Sequence, residues 1–172
     1  MKTFLITAFG EDRPGIVAKV SQLLYKNGLN IEDSAMTRLN NEFVIMLIVK
    51  GNINYNTLKQ DLYTLEKDNL NVTLKEISEL AKKNTGSTQT YNIIVYGSDK
   101  PGIVYNVSKL LAEKSINIAD LRTEKTNDLY VMFIQAEIPQ ELDIKEFENE
   151  IENLKNVLNV DIVVENIDTA NL

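Results

Sequence analysis

Two short segments of this chain carry the residue types from which a site for a small charged molecule can be built, and they are one segment written twice. Asp12-Arg13-Pro14-Gly15 returns as Asp99-Lys100-Pro101-Gly102, and each runs into an apolar pair, Ile16-Val17 and Ile103-Val104. Proline has the fixed φ and missing N–H that suit the first turn of a helix. Glycine lets a ligand or a neighbouring backbone approach with no Cβ in the way. The unpaired N–H groups and positive dipole end of a first turn favour a carboxylate or another small anion. Asp12 and Asp99 are expected to accept hydrogen bonds from those same N–H groups. On this reading Gly15→Val weakens ligand binding with little loss of fold. Asp-x-Pro-Gly also serves, with no ligand at all, simply to start a helix.

A second pair of segments accompanies the first. Asn30-Ile31 and Asn117-Ile118 each open the strand that follows the helix. An Asn amide offers a donor and an acceptor, which suits the carboxylate and ammonium of an α-amino acid together. Asn is equally a turn residue after Gly28. Arg13 and Lys100 can neutralise a ligand charge or stand as solvated surface charges. Ser21 and Ser108 have no base within the pattern, so nucleophilic catalysis is not supported.

The composition removes most other chemistry. The chain has 172 residues with no Cys and no His, which excludes thiolate nucleophiles and thiolate metal sites and removes the commonest general base. No catalytic residue, metal or cofactor is assigned. Net charge is −7, which opposes binding to a phosphate backbone. A regulator of transcription built on this chain is expected to touch a protein rather than DNA. The longest apolar run, Phe43 to Val49, is far too short for a bilayer, and the N-terminus lacks a secretory pattern. The expected location is cytoplasmic.

The elements that must hold these segments also repeat. Thr3 to Phe9 reads as a buried strand. Ile16, Val17, Val20, Leu23 and Leu24 form one face of a helix stopped by Asn27-Gly28. Leu29 to Arg38 and Glu42 to Lys50 form a hairpin around Asn40-Asn41, since Asn tolerates positive φ. Leu58, Leu62 and Leu65 mark a second helix, and Val72 to Ile77 a last strand. The second half gives a strand over Tyr91 to Tyr96, a helix over Ile103 to Leu111, and a hairpin of Asn117 to Glu124 with Leu129 to Glu137. A helix capped by Asp143 and Glu146 and a strand over Val160 to Val164 complete it. Residues 1–80 and 91–172 are thus expected as two domains, with the polar stretch 81–90 as linker. The class is α+β: two tandem ferredoxin-like βαββαβ domains, whose exposed sheet edges favour a homodimer.

Both halves resemble the ACT domain, the small amino-acid-sensing module of βαββαβ fold. The resemblance rests on Asp12 to Val17, Val20 through Leu24 and Asn30-Ile31, with the matching set from Asp99 to Ile118. Asn30-Ile31-Glu32-Asp33-Ser34 with Met36-Thr37 and Glu42-Phe43 is similar to the tandem-ACT glycine cleavage system transcriptional repressor proteins. That resemblance implies a non-enzymatic regulator that binds a small amino acid, glycine among the candidates, and acts on a protein partner such as a transcriptional activator. It also implies a ligand at the interface of paired domains. The site residues so implied are Asp12, Gly15, Asn30, Ile31, Asp99, Gly102, Asn117 and Ile118, to which the reading of the loop itself adds Arg13, Pro14 and Pro101.

Three other readings bear on the same residues. An enzyme of ferredoxin-like fold such as an acylphosphatase needs an Arg-bearing phosphate loop, where this loop is acidic. An RNA-binding sheet needs aromatics on its central strands, where Val44 to Ile48 is aliphatic. A ligand-independent adaptor, or a regulatory subunit of an amino-acid-metabolism enzyme, remains open beside the sensor.

Overall fold

The computed structural model describes residues 1–77, 87–127 and 129–167. The chain divides into two compact units, Met1–Lys83 and Asn84–Leu172. In the first, β1 (Lys2–Glu11), α1 (Ile16–Lys26), β2 (Asn30–Leu39), β3 (Glu42–Gly51), α2 (Tyr55–Leu62) and β4 (Asn71–Ile77) follow in order. A 3-10 helix, Tyr63–Asp68, continues α2. The second unit repeats the plan with β5 (Thr88–Ser98), α3 (Ile103–Glu113), β6 (Asn117–Thr126), β7 (Leu129–Pro139), α4 (Ile144–Leu158) and β8 (Val160–Asn166). The sheets run β2-β3-β1-β4 and β6-β7-β5-β8, each antiparallel throughout. This is the α+β, βαββαβ plan expected from the sequence.

The core of each unit lies between sheet and helices. Phe4, Ile6 and Ala8 alternate along β1 and meet Ile16, Val20 and Leu24 of α1 and Leu58 and Leu62 of α2. In the second unit Ile93 and Val95 take the strand positions, with Ile103, Val107 and Leu111 of α3 and Phe147 and Ile151 of α4. A period of two on the strand and of three to four on the helix places all of these on one side of their element.

Several local expectations change. The second helix of the first unit ends at Leu62, and Leu65 reaches the core from the 3-10 turn instead. In the hairpin turns the left-handed residues are Asn40 (φ 54°) and Asn127 (φ 52°); Asn41 is not left-handed. Asp143 caps α4 by accepting from the N–H groups of Lys145 and Glu146. The Glu146 carboxylate accepts from Lys114 Nζ at 3.1 Å. β5 begins at Thr88, three residues inside the stretch read as linker, and residues 81–86 lie outside the described ones.

Candidate functional site

The strand-to-helix loop is built differently from the sequence expectation. Gly15 is the N-cap of α1, with φ 93° and ψ −6°, and no side chain caps the helix. Gly102 caps α3 in the same way, with φ 96° and ψ −6°. Pro14 and Pro101 therefore stand before the cap rather than in the first turn. A Cβ on Gly15 meets nothing within 4 Å, but its backbone occupies the left-handed region that L side chains rarely adopt. The glycine is thus required by the turn, and a Gly15→Val change strains the backbone whatever space surrounds it. That corrects the expectation that the fold is indifferent to the substitution.

Asp12 and Asp99 do not cap the helices. The Asp12 carboxylate accepts from Arg38 Nη1 at 3.2 Å, and that of Asp99 from Lys125 Nζ at 2.7 Å. The physical reason is topological. β1 ends beside the turn of the β2–β3 hairpin, where Glu11 pairs with Glu42, and the Asp12 N–H donates to the Asn41 carbonyl at 2.7 Å. The last turn-proximal cation of β2 is then within reach of the loop acid. Arg38 and Lys125 were absent from the sequence-derived site. The repeat register does align them, however, and each follows its aspartate by 26 residues.

The result in each unit is a carboxylate and a cation held together ahead of a helix whose first-turn N–H groups receive no side-chain cap. Neither first turn contains an acid. Such an arrangement presents positive and negative partners side by side, which matches the two charges of a zwitterion. Arg13 and Pro14 are exposed on the loop, as is Pro101.

Asn30-Ile31 and Asn117-Ile118 are not brought to the loop within a unit. Asn30 pairs with Lys50 at one end of the hairpin, whereas Arg38 pairs with Phe43 at the other. At roughly 3.3 Å per residue these ends lie about 25 Å apart. Asn30 Nδ2 donates to Glu32 Oε1 at 3.0 Å, and Asn117 Nδ2 to Glu137 Oε2 at 2.8 Å. Both asparagines stand just before a bulge, between Ile31 and Asp33 and between Ile118 and Asp120. Bulges bend and re-aim a strand. β2 is exposed along its whole length and lies at the sheet edge.

Elsewhere on the units, grooves run between the helices. One of about 420 Å³ is lined by Lys19, Leu23, Asp61 and Leu65, and one of about 300 Å³ by Leu110, Glu113, Glu150 and Leu154. Neither contains a loop residue. Among the described residues no cluster of acidic side chains is arranged to hold a metal, and no helix is long and apolar enough to cross a membrane.

Comparison with known proteins agrees with this architecture. The ACT domain pattern matches residues 2–82 and again residues 85–161. The chain is 27% identical over 162 residues to the glycine cleavage system transcriptional repressor of Escherichia coli, covering 90% of this chain and 85% of that one. A UPF0237 protein of Methanococcus maripaludis is 39% identical over 74 residues, 42% of this chain and 82% of that protein. The crystal structure of a protein of unknown function from Galdieria sulphuraria superposes with a TM-score of 0.80 at 27% identity, over 96% of this chain and 98% of that one. With both units matched in this way, the chain belongs to the ACT-domain family and consists of two such domains in tandem.

Proposed function

We propose that this chain is a non-enzymatic regulator that binds a small α-amino acid and, by doing so, changes its association with a protein partner. The observation that carries this reading is the carboxylate–cation pair set ahead of an uncapped helix N-terminus, present in both units. A zwitterion inserted there finds an anion for its ammonium, and a cation with backbone N–H groups for its carboxylate. Similarity to the Escherichia coli repressor supports a role in transcriptional control of glycine cleavage or amino-acid metabolism, with glycine as the first ligand to test.

The partner is a protein such as a transcriptional activator, and nucleic acid is not contacted directly. Residues 84–172 carry 15 of the 25 acidic side chains and 7 of the 18 basic ones, a balance that repels phosphate. The work is done in the cytoplasm, with neither metal nor cofactor. The exposed β2 edge supports a homodimer in which two such strands pair antiparallel. In that pairing Asn30-Ile31 of one copy approaches the Asp12–Arg38 end of the other, which would bring the two halves of the sequence-derived site together. Ligand at that junction biases the pairing, which is the differential contact that regulation requires.

Thermal unfolding with each of the twenty amino acids at millimolar concentration tests the reading. Ligand at about 100 times its dissociation constant stabilises by roughly 2.7 kcal/mol, a rise of several degrees for a chain of this size. A selective rise with glycine or serine is expected. A flat panel contradicts the sensor and favours the ligand-independent adaptor.

A further inference from the structure

The two units differ at one chemically informative position beside the loop. Phe43 stands near the start of β3, opposite Gly10 and Arg38. Tyr130 takes its place in β7, opposite Gly97 and Lys125. Phe43 is 2% exposed and wholly apolar. Tyr130 brings a hydroxyl to the same place, and that hydroxyl is buried with no hydrogen-bond partner among the described residues. A buried donor left unpaired is destabilising relative to the phenylalanine that fills the equivalent position. Packing alone therefore gives no reason for the oxygen. Burial and, secondarily, the Asp99 charge raise the phenol above its ordinary pKa, so at neutral pH it is a protonated donor.

We propose that Tyr130 reads the ligand in the second unit: its hydroxyl donates to the carboxylate of a zwitterionic α-amino acid, which Lys125 also holds while Asp99 holds the ammonium. This rests on the amino-acid reading above and deepens it, because it makes the second unit the tighter of the two sites. The Lys125–Asp99 pair has side chains 59% and 42% exposed, and a pair so exposed is easily opened. A ligand that separates the two charges replaces one pair with two and gives the buried hydroxyl its missing acceptor. The first unit offers Arg38 and Asp12 for the same two contacts but has no hydroxyl at Phe43.

Isothermal titration of the full chain and of Tyr130→Phe with glycine and with L-serine tests this, alongside the melting temperature of each without ligand. The expected result is two classes of site in the original chain. Tyr130→Phe weakens the tighter class by about tenfold, the loss of one hydrogen bond to a charged group. The unliganded variant should melt no lower than the original chain, since phenylalanine already serves at position 43. Unchanged affinity in Tyr130→Phe, with the original chain binding, overturns this inference alone. No binding of either amino acid to the original chain overturns it together with the reading beneath it.

Discussion

Arg38 Nη1 lies 3.2 Å from Asp12 Oδ2, so the acid that opens the first helix is held by the far end of the following hairpin rather than by the helix it precedes. Lys125 and Asp99 repeat the relationship at 2.7 Å. A loop with the look of a self-contained helix start is thus a junction of two elements, and its charge pair stands where a zwitterion can divide it.

The pair should contribute little to stability. With Arg38 66% and Asp12 31% exposed, a double-mutant cycle of Asp12→Asn and Arg38→Ala is expected to give a coupling of about 0.2–1 kcal/mol from urea midpoints. A coupling of several kcal/mol would show a structural lock that no ligand opens.

Gly15→Ala is expected to destabilise by about 1–2 kcal/mol although its Cβ meets no neighbour, because φ of 93° is unfavourable for any L side chain. Gly102→Ala should behave alike, with Asn106 Nδ2 at 3.3 Å adding a close contact. A neutral urea midpoint in both would mean that the loop relaxes freely.

Alkaline pH should loosen the second unit. Hydrogen bonds donated to Glu150 and Glu146 raise the pKa of Lys114, a bond donated to Glu152 raises that of Lys155, and burial raises that of Tyr130. In each case the folded state holds its proton more tightly than the unfolded state. The stabilisation is therefore complete below the unfolded pKa and is lost as pH climbs through the folded one. Denaturant midpoints should stay level through neutral pH and fall above about pH 10, less steeply in Tyr130→Phe. A midpoint that rises over that range contradicts these assignments.

Ala35→Lys, placed mid-way along the exposed edge strand β2, should convert a dimer to a monomer in sedimentation equilibrium, since a charge blunts edge pairing. It should leave the fold intact, because residue 35 is exposed. A dimer unaffected by this change places the subunit contact elsewhere.

The order of strands and helices along the chain and both cores could be read from the sequence because they rest on periodicity, which Ile16, Val20 and Leu24 or Ile103, Val107 and Leu111 display plainly. The partner of Asp12 could not, because local spacing carries no information about a cation 26 residues away across a hairpin. Local preference for a capping aspartate pointed to the wrong contact, and the left-handed glycine took the cap instead. The register of the repeat held the missing signal, for it aligns Arg38 with Lys125 and Phe43 with Tyr130. The separation of Asn30 from the loop follows from strand direction alone, since β2 starts at the end of the sheet where β1 also starts.

The most direct measurement is calorimetric titration of glycine and serine into the original chain and into the Asp12→Asn, Asp99→Asn double variant. Saturable heat is expected from the original chain and none from the variant, with both melting within a few degrees of each other. Equal binding by the two proteins, or no binding by either, would contradict the claim that the loop–hairpin charge pairs are the amino-acid site.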